Sequence, residues 1–257
     1  MIMTQTTQAT VAQFEEITAG DSKEMPAKIV LYGVPKIGKS RFAAQAEDAF
    51  FINIEDGLDY IGKKVRATPK LETYDQVAAW LKHIHDSDTF TAGTLVIDSA
   101  DWLESLAQER LIKLYNAKSI NDSAVKEFAY FKGVMDAAQD AIKVLKWLDK
   151  IWQKKKIRAI IIAHSQIKEV DLPNKDPYQR HEMKLSKYFS AKMNEWGDLV
   201  LFADYDFAVS KDGSTSEPKP ALYAGGSAAF LGGGRMALNT KLPLDYDKLK
   251  EQITKGK

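Results

Sequence analysis

Five short stretches of the chain, Lys28 to Tyr32, Ala49 to Ile54, Thr94 to Ile97, Arg158 to Ala163 and Asp198 to Ala203, are almost continuously apolar. They are too short for core helices and lack the alternation of a half-solvated strand. They therefore predict strands buried on both faces, as in a parallel sheet. Between most of them, Ser40 to Ala46, Tyr74 to His85, Trp102 to Tyr115 and Phe131 to Lys154 carry apolar residues three and four apart, the pattern of amphipathic helices. Strands alternating with helices imply an α/β fold with a mostly parallel sheet flanked by helices. After Asp204 the pattern changes to alternating Tyr, Phe and Val with Gly-rich breaks at Lys211 to Ser216, Gly225 to Gly226 and Gly232 to Gly234. This predicts antiparallel edge strands near the C-terminus. The closing LPLDYDKLKEQI predicts a short helix capped near Asp245. Residues 1–26, rich in Thr, Gln and Glu, predict a mobile arm with a short helix around Val11 to Ile17. That leaves 27–257 as one domain, although the length also permits two small ones.

Charge narrows the partners. The 36 basic and 35 acidic residues nearly cancel, so no global field draws the chain to nucleic acid or to an anionic membrane, and any nucleic-acid surface must be local. Without cysteine there is no disulfide framework and no thiolate metal site, which fits a reducing cytoplasm. The N-terminal stretch has neither a basic nor an apolar signal region, and no run approaches the ~20 apolar residues of a membrane span. The expectation is a soluble, unprocessed cytoplasmic protein with no membrane partner.

The chemistry begins at Gly33. From Gly33 to Ser40 the chain reads G-x-x-x-x-G-K-S, directly after an apolar strand and before a helix, the context that a phosphate-binding P-loop requires. Gly33 and Gly38 let backbone N–H groups converge on phosphate, with Val34, Pro35, Lys36 and Ile37 forming the loop between them and Arg41 just beyond. Lys39 would neutralise the β and γ phosphates of ATP, and the Ser40 hydroxyl would ligate Mg²⁺. Asp98 closes the run TLVID at a strand's carboxyl end, where an acid can bind the same ion through its water shell. Asp101, three residues on, reads as a helix cap. In FFINIEDGLDYI, Glu55 and Asp56 follow a strand and could orient or deprotonate an attacking water, or simply be acidic turn residues beside Gly57. His164 and Gln166, two apart at the end of RAIIIAHSQ, share a face of an extended chain and could both sense the γ-phosphate. The bland alternative is two satisfied polar groups at a sheet edge.

These segments, in this order, resemble the RecA-like ATPase core. IEDGLD resembles the segment bearing that family's catalytic glutamate, VIDSA its Walker B strand, and SQIK its phosphate-sensing turn. A glutamate after the second strand, rather than beside Asp98, favours the RecA-like group over typical AAA+ proteins. More closely, the chain resembles phage-encoded RecA-like nucleotide-binding proteins, some of which are single-strand annealing recombinases. The likeness runs from Lys28 almost to the end, through FAYFKGVMDAAQDAIKVLKWLDKIWQKKKIRAIIIAHSQIKEV, HEMKLSKYFSAKMNEWGDLVLFADYDF and RMALNTKLPLDY. It implies ATP and Mg²⁺ as cofactors, single-stranded DNA and a single-strand DNA-binding protein as partners, and a homo-oligomeric ring or filament in a bacterial host's cytoplasm. The chain departs from the family pattern in having Gly232, Gly233 and Gly234 where a basic residue is expected, which leaves Arg235 as the cation for a neighbour's phosphate.

For DNA, residues 167–187 mix charges and hold two prolines, and so read as a long loop in which Lys168, Lys175, Arg180, Lys184 and Lys187 could contact phosphates. The acids of the same segment also allow a plain solvated surface. Phe128, Tyr130, Phe131 and Lys132 could stack on bases, although buried helix packing explains them too. The basic run Lys154 to Arg158 is accounted for by the dipole at a helix end. Two other functions compete: an ATP-switched scaffold without DNA affinity, and a small-molecule kinase, which shares the first motif.

Overall fold

The structure, a computed structural model, describes residues 24–207 and 216–255. The expected arm helix and most of the Lys211 to Ser216 break lie outside the described residues. In chain order the elements are β1 (Lys28–Gly33), α1 (Lys39–Ala44), β2 (Ala49–Asn53), β3 (Arg66–Ala67), α2 (Tyr74–Asp86), β4 (Thr94–Asp98), α3 (Ala100–Leu114), α4 (Lys132–Lys155), β5 (Arg158–Leu172), β6 (Lys175–Met183), α5 (Lys187–Trp196), β7 (Leu199–Asp206), β8 (Lys219–Tyr223), β9 (Gly233–Gly234), β10 (Lys241–Pro243) and α6 (Tyr246–Lys255). Short 3-10 turns lie at Leu58–Tyr60 and Lys126–Phe131.

The strands order as β10-β8-β7-β1-β5-β4-β2-β3. From β7 to β3 every pairing is parallel, and β8, β9 and β10 add antiparallel pairings at the β7 side. Side chains alternate across β1, so that Val30 and Tyr32 join a core under α2, α3, α4 and α5, whereas Ile29 and Leu31 join a second core under α1 and α6. The five apolar runs are thus apolar at every position because both faces of the sheet are covered. Met25 is buried in the second core. Among the described residues no helix is long and apolar enough to cross a membrane.

Residues 167–187 differ from the expected loop. β5 runs on past the sheet to Leu172 and returns as β6, forming a two-stranded antiparallel ribbon that turns at Pro173 and Asn174. An irregularity opposite Val170 to Leu172 accommodates Pro177, whose missing N–H would interrupt a regular ladder. Cross-strand pairing, invisible to a periodicity scan, compensates for the mixed charge.

Other expectations resolve element by element. Phe128 is buried against Gly133 and Tyr115, as helix packing predicted, yet Tyr130 and Phe131 are exposed with left-handed backbone. Lys154 and Lys155 serve the end of α2 rather than their own helix, donating to the carbonyls of His85, Ser87 and Phe90. Asp245 accepts from the Lys248 N–H at the start of α6, as its capping role required.

Candidate nucleotide site

The parallel strands bring their carboxyl ends to one edge, and Gly33 at the end of β1 stands beside His164 of β5. The turn after β1 is tight. A Cβ on Gly33 would lie 2.1 Å from the carbonyl oxygen of Ala203, so only glycine lets β1 leave the sheet beside β7. Gly38 has φ 108°, a left-handed conformation that starts α1, and no side chain caps the first N–H groups of that helix. Ile37 is buried and pins the loop, whereas Pro35, Lys36 and Arg41 are exposed and Val34 is half-buried. Inside the loop Lys39 is only 5% exposed, and its ammonium donates to the carbonyls of Gly33 (3.0 Å) and Val34 (2.9 Å). Burial lowers its pKa, while Asp98, Glu55 and Asp101 pull it back up. A buried cation held by carbonyls of its own loop, with uncapped amides beside it, is a donor set that suits a polyphosphate.

At the head of α1 the Ser40 hydroxyl donates to Asp98 Oδ2 at 2.6 Å. Burial raises the Asp98 carboxyl to about 6, with the Ser40 bond opposing that rise. A hydroxyl and a buried carboxylate in contact suit Mg²⁺, which keeps waters and takes its remaining ligands from phosphates.

A third group lies across the strand ends. His164 Nε2 is 3.7 Å from Glu55 Oε1, while His164 Nδ1 is 2.9 Å from Asp101 Oδ2 and the His164 N–H donates to Asp101 Oδ1 at 3.1 Å. Asp101 therefore orients His164 and does not act as the helix cap that its position suggested. The two are mutually reinforcing: the bond to Asp101 raises the His164 pKa against the effect of burial, and the same bonds lower that of Asp101. Asp56 is exposed and turned to Lys70, 3.4 Å away, so of the two adjacent acids Glu55 is the one facing the site.

Next to His164 a cleft of about 600 Å³ opens between α3 and the base of the β5–β6 ribbon. Gln166 lines it while donating to the Met183 carbonyl at 3.0 Å. Of the ribbon's cations, Lys168 is 3.7 Å from Glu182 and Arg180 is in contact with the same carboxylate, whereas Lys184, just past the ribbon, and Lys187, at the head of α5, are exposed. Arg235 lies at the opposite edge of the sheet. Its backbone binds the Asp198 carbonyl and its guanidinium, 75% exposed, is 3.2 Å from the Asp198 carboxylate, at the amino end of β7.

Two groups escaped the reading of the sequence. Asp101 was given a local role because nothing in the chain's order says that β5 ends beside α3. Glu104, buried on α3, accepts from both the N–H and the hydroxyl of Ser186, at 2.9 and 2.5 Å, and so fixes the start of α5; its only sequence signal was a carboxylate on an otherwise apolar helix face.

A search of curated proteins returned no match. A family model described as an AAA domain matches residues 25–235, a span running from before β1 through the Gly-rich loop, Asp98 and the ribbon to Arg235. That span is most of the chain, and with an α/β P-loop NTPase fold beneath it, the chain belongs to the AAA domain family.

Proposed function

We propose that this protein is a RecA-like ATPase of phage type that binds single-stranded DNA and promotes annealing or strand exchange as a homo-oligomer. The observation that carries the ATPase part is the position of Glu55, its carboxylate beside an oriented His164 and across the strand ends from the Ser40–Asp98 pair. In this reading Lys39 leaves its loop carbonyls for the β and γ phosphates, and the uncapped amides of Gly38 to Ser40 receive the same charge. Ser40 and Asp98 would hold Mg²⁺, which would supply charge neutralisation on the phosphates. Glu55 takes a proton from water, the resulting hydroxide adds to the γ-phosphorus, and the bond to the bridging oxygen breaks, releasing ADP and phosphate. His164 holds Glu55 in place and is itself held by Asp101.

The DNA part is supported by the ribbon, which leaves the sheet directly after His164 and carries Lys168 and Arg180, with Lys184 just past its end and Lys187 at the head of α5. Phosphate release measured with and without single-stranded DNA tests both parts. Turnover that rises with DNA is expected. No turnover under either condition removes the ATPase, and turnover indifferent to DNA removes the DNA role. A second reading, an ATP-switched scaffold, is favoured by one feature: Lys168 and Arg180 both pair with Glu182 within the ribbon, which reduces the charge open to a phosphate.

A further inference from the structure

The cleft beside His164 is walled on one side by α3, with Trp102, Ser105 and Gln108, and on the other by the base of the ribbon, with Gln166 and Lys184. Its size falls in the range of ligand-binding clefts, roughly 300 to 1,000 Å³. Trp102 is the unusual residue. It sits in the first turn of a helix whose neighbours Leu103, Leu106 and Ala107 are buried, yet its indole is 47% exposed and faces the cleft. Large aromatic rings are seldom left half in water without a partner, because they carry more apolar area than any other side chain.

Charge in the cleft is not what composition suggests. Two acids lie in its wall, but Asp101 accepts two bonds from His164 and Glu104 accepts two from Ser186. Their oxygens are therefore engaged by donors within the protein. Lys184 is exposed, and among the described residues no carboxylate lies within ion-pair distance of its ammonium. The groups left open to a ligand are thus one flat aromatic face, one cation and the amide of Gln108. An aromatic platform and a cation lining one cleft can hold a base by stacking and its backbone phosphate by charge.

We infer that this cleft seats single-stranded nucleic acid, with Trp102 stacked on a base and Lys184 neutralising an adjacent phosphate. The inference rests on the nucleic-acid reading above and adds Trp102 of α3 to its contacts, with Lys184 at the ribbon base. It places the strand beside His164, which lines the same cleft and faces Glu55.

Fluorescence anisotropy with labelled oligo-dT and oligo-rU, on wild type, Trp102→Ala, Trp102→Phe and Lys184→Ala, tests it; thermal melting checks each fold. Trp102→Ala should weaken binding roughly tenfold, as expected for one lost stack, and Trp102→Phe should restore most of it. Lys184→Ala should lower the logarithmic salt slope by about 0.7. Equal losses with dT and rU point to a seat indifferent to the sugar, and a loss with one alone assigns the seat to that polymer. Wild-type binding that Trp102→Ala leaves unchanged, or a loss that Phe does not restore, overturns the cleft while the nucleic-acid reading stands. Failure of the wild type to bind either oligonucleotide overturns both.

Discussion

In the proposed reading, Lys39 and Glu55 divide the work of the site between binding and turnover. Lys39→Ala deletes a buried cation whose present partners are two loop carbonyls, so it removes charge meant for phosphate without emptying the core. Fluorescent nucleotide binding should fall by about a hundredfold or more, with circular dichroism unchanged; retained affinity would end the assignment of the loop. Glu55→Gln keeps shape and burial and loses only the ability to take a proton. Nucleotide affinity should persist while hydrolysis falls by roughly a hundredfold or more. Turnover near that of wild type would reduce Glu55 to a turn residue. The His164–Asp101 pair makes a statement about pH. The His164 pKa is raised, so its contribution to stability is full below its ordinary 6.5 and is lost as pH rises through the raised folded value. The Asp101 pKa is lowered, so its contribution is present above 3.8 and is lost as pH falls through the lowered value. Asp101→Asn should therefore reduce the urea midpoint most between 3.8 and 6.5 and progressively less at alkaline pH. A pH-independent difference would mean that the pair is not ionic.

At the scale of elements, the ribbon and α3 are tied to the nucleotide edge by separate bonds. His164 reaches Asp101, Gln166 reaches Met183, and Glu104 of α3 holds Ser186 at the head of α5. Gain or loss of a γ-phosphate contact at His164 can thus be felt by both walls of the cleft and by Lys184 and Lys187 just beyond. Changing both lysines to Ala should lower the salt slope of single-strand binding by about 1.4, and binding should depend on ATP. Anisotropy titrations at several salt concentrations, with ATP, ADP or neither, measure this. An unchanged slope leaves the two lysines as ordinary solvated charge.

For the whole molecule, the strand order gathers the Gly33 to Ser40 loop, Glu55, Asp98 and His164 at the carboxyl edge and leaves Arg235 at the amino edge with Asp198. Within one protomer that arginine cannot serve the Gly33 to Ser40 loop, so any phosphate it meets belongs to a neighbour in an assembly. Its pair with Asp198 is a surface pair worth no more than about 1 kcal/mol. Arg235→Ala should accordingly leave the melting temperature almost unmoved while lowering turnover and ATP-dependent assembly, read by light scattering. Full activity in the variant would remove Arg235 from the neighbour's site.

What the chain alone determined is what eight adjacent residues or one periodic run can encode. The loop from Gly33 to Ser40 was legible because its glycines, lysine and serine act through backbone that is contiguous, and the buried strands because each lies under helices on both faces. Asp98 was legible for the same reason, as the acid closing an apolar run. Tertiary structure decided the rest. Glu55, Asp101 and His164 come from three separate segments, and only the parallel register of β2, β4 and β5 places their side chains within reach of one another. That register also turned Asp101 from a local cap into the partner of a distant histidine. The ribbon was missed because its stability comes from pairing across strands, which one-dimensional periodicity does not record. The same holds for the charge of Lys168 and Arg180, cations in composition that folding pairs with Glu182, while Lys184 is left open in the cleft that Trp102 also lines.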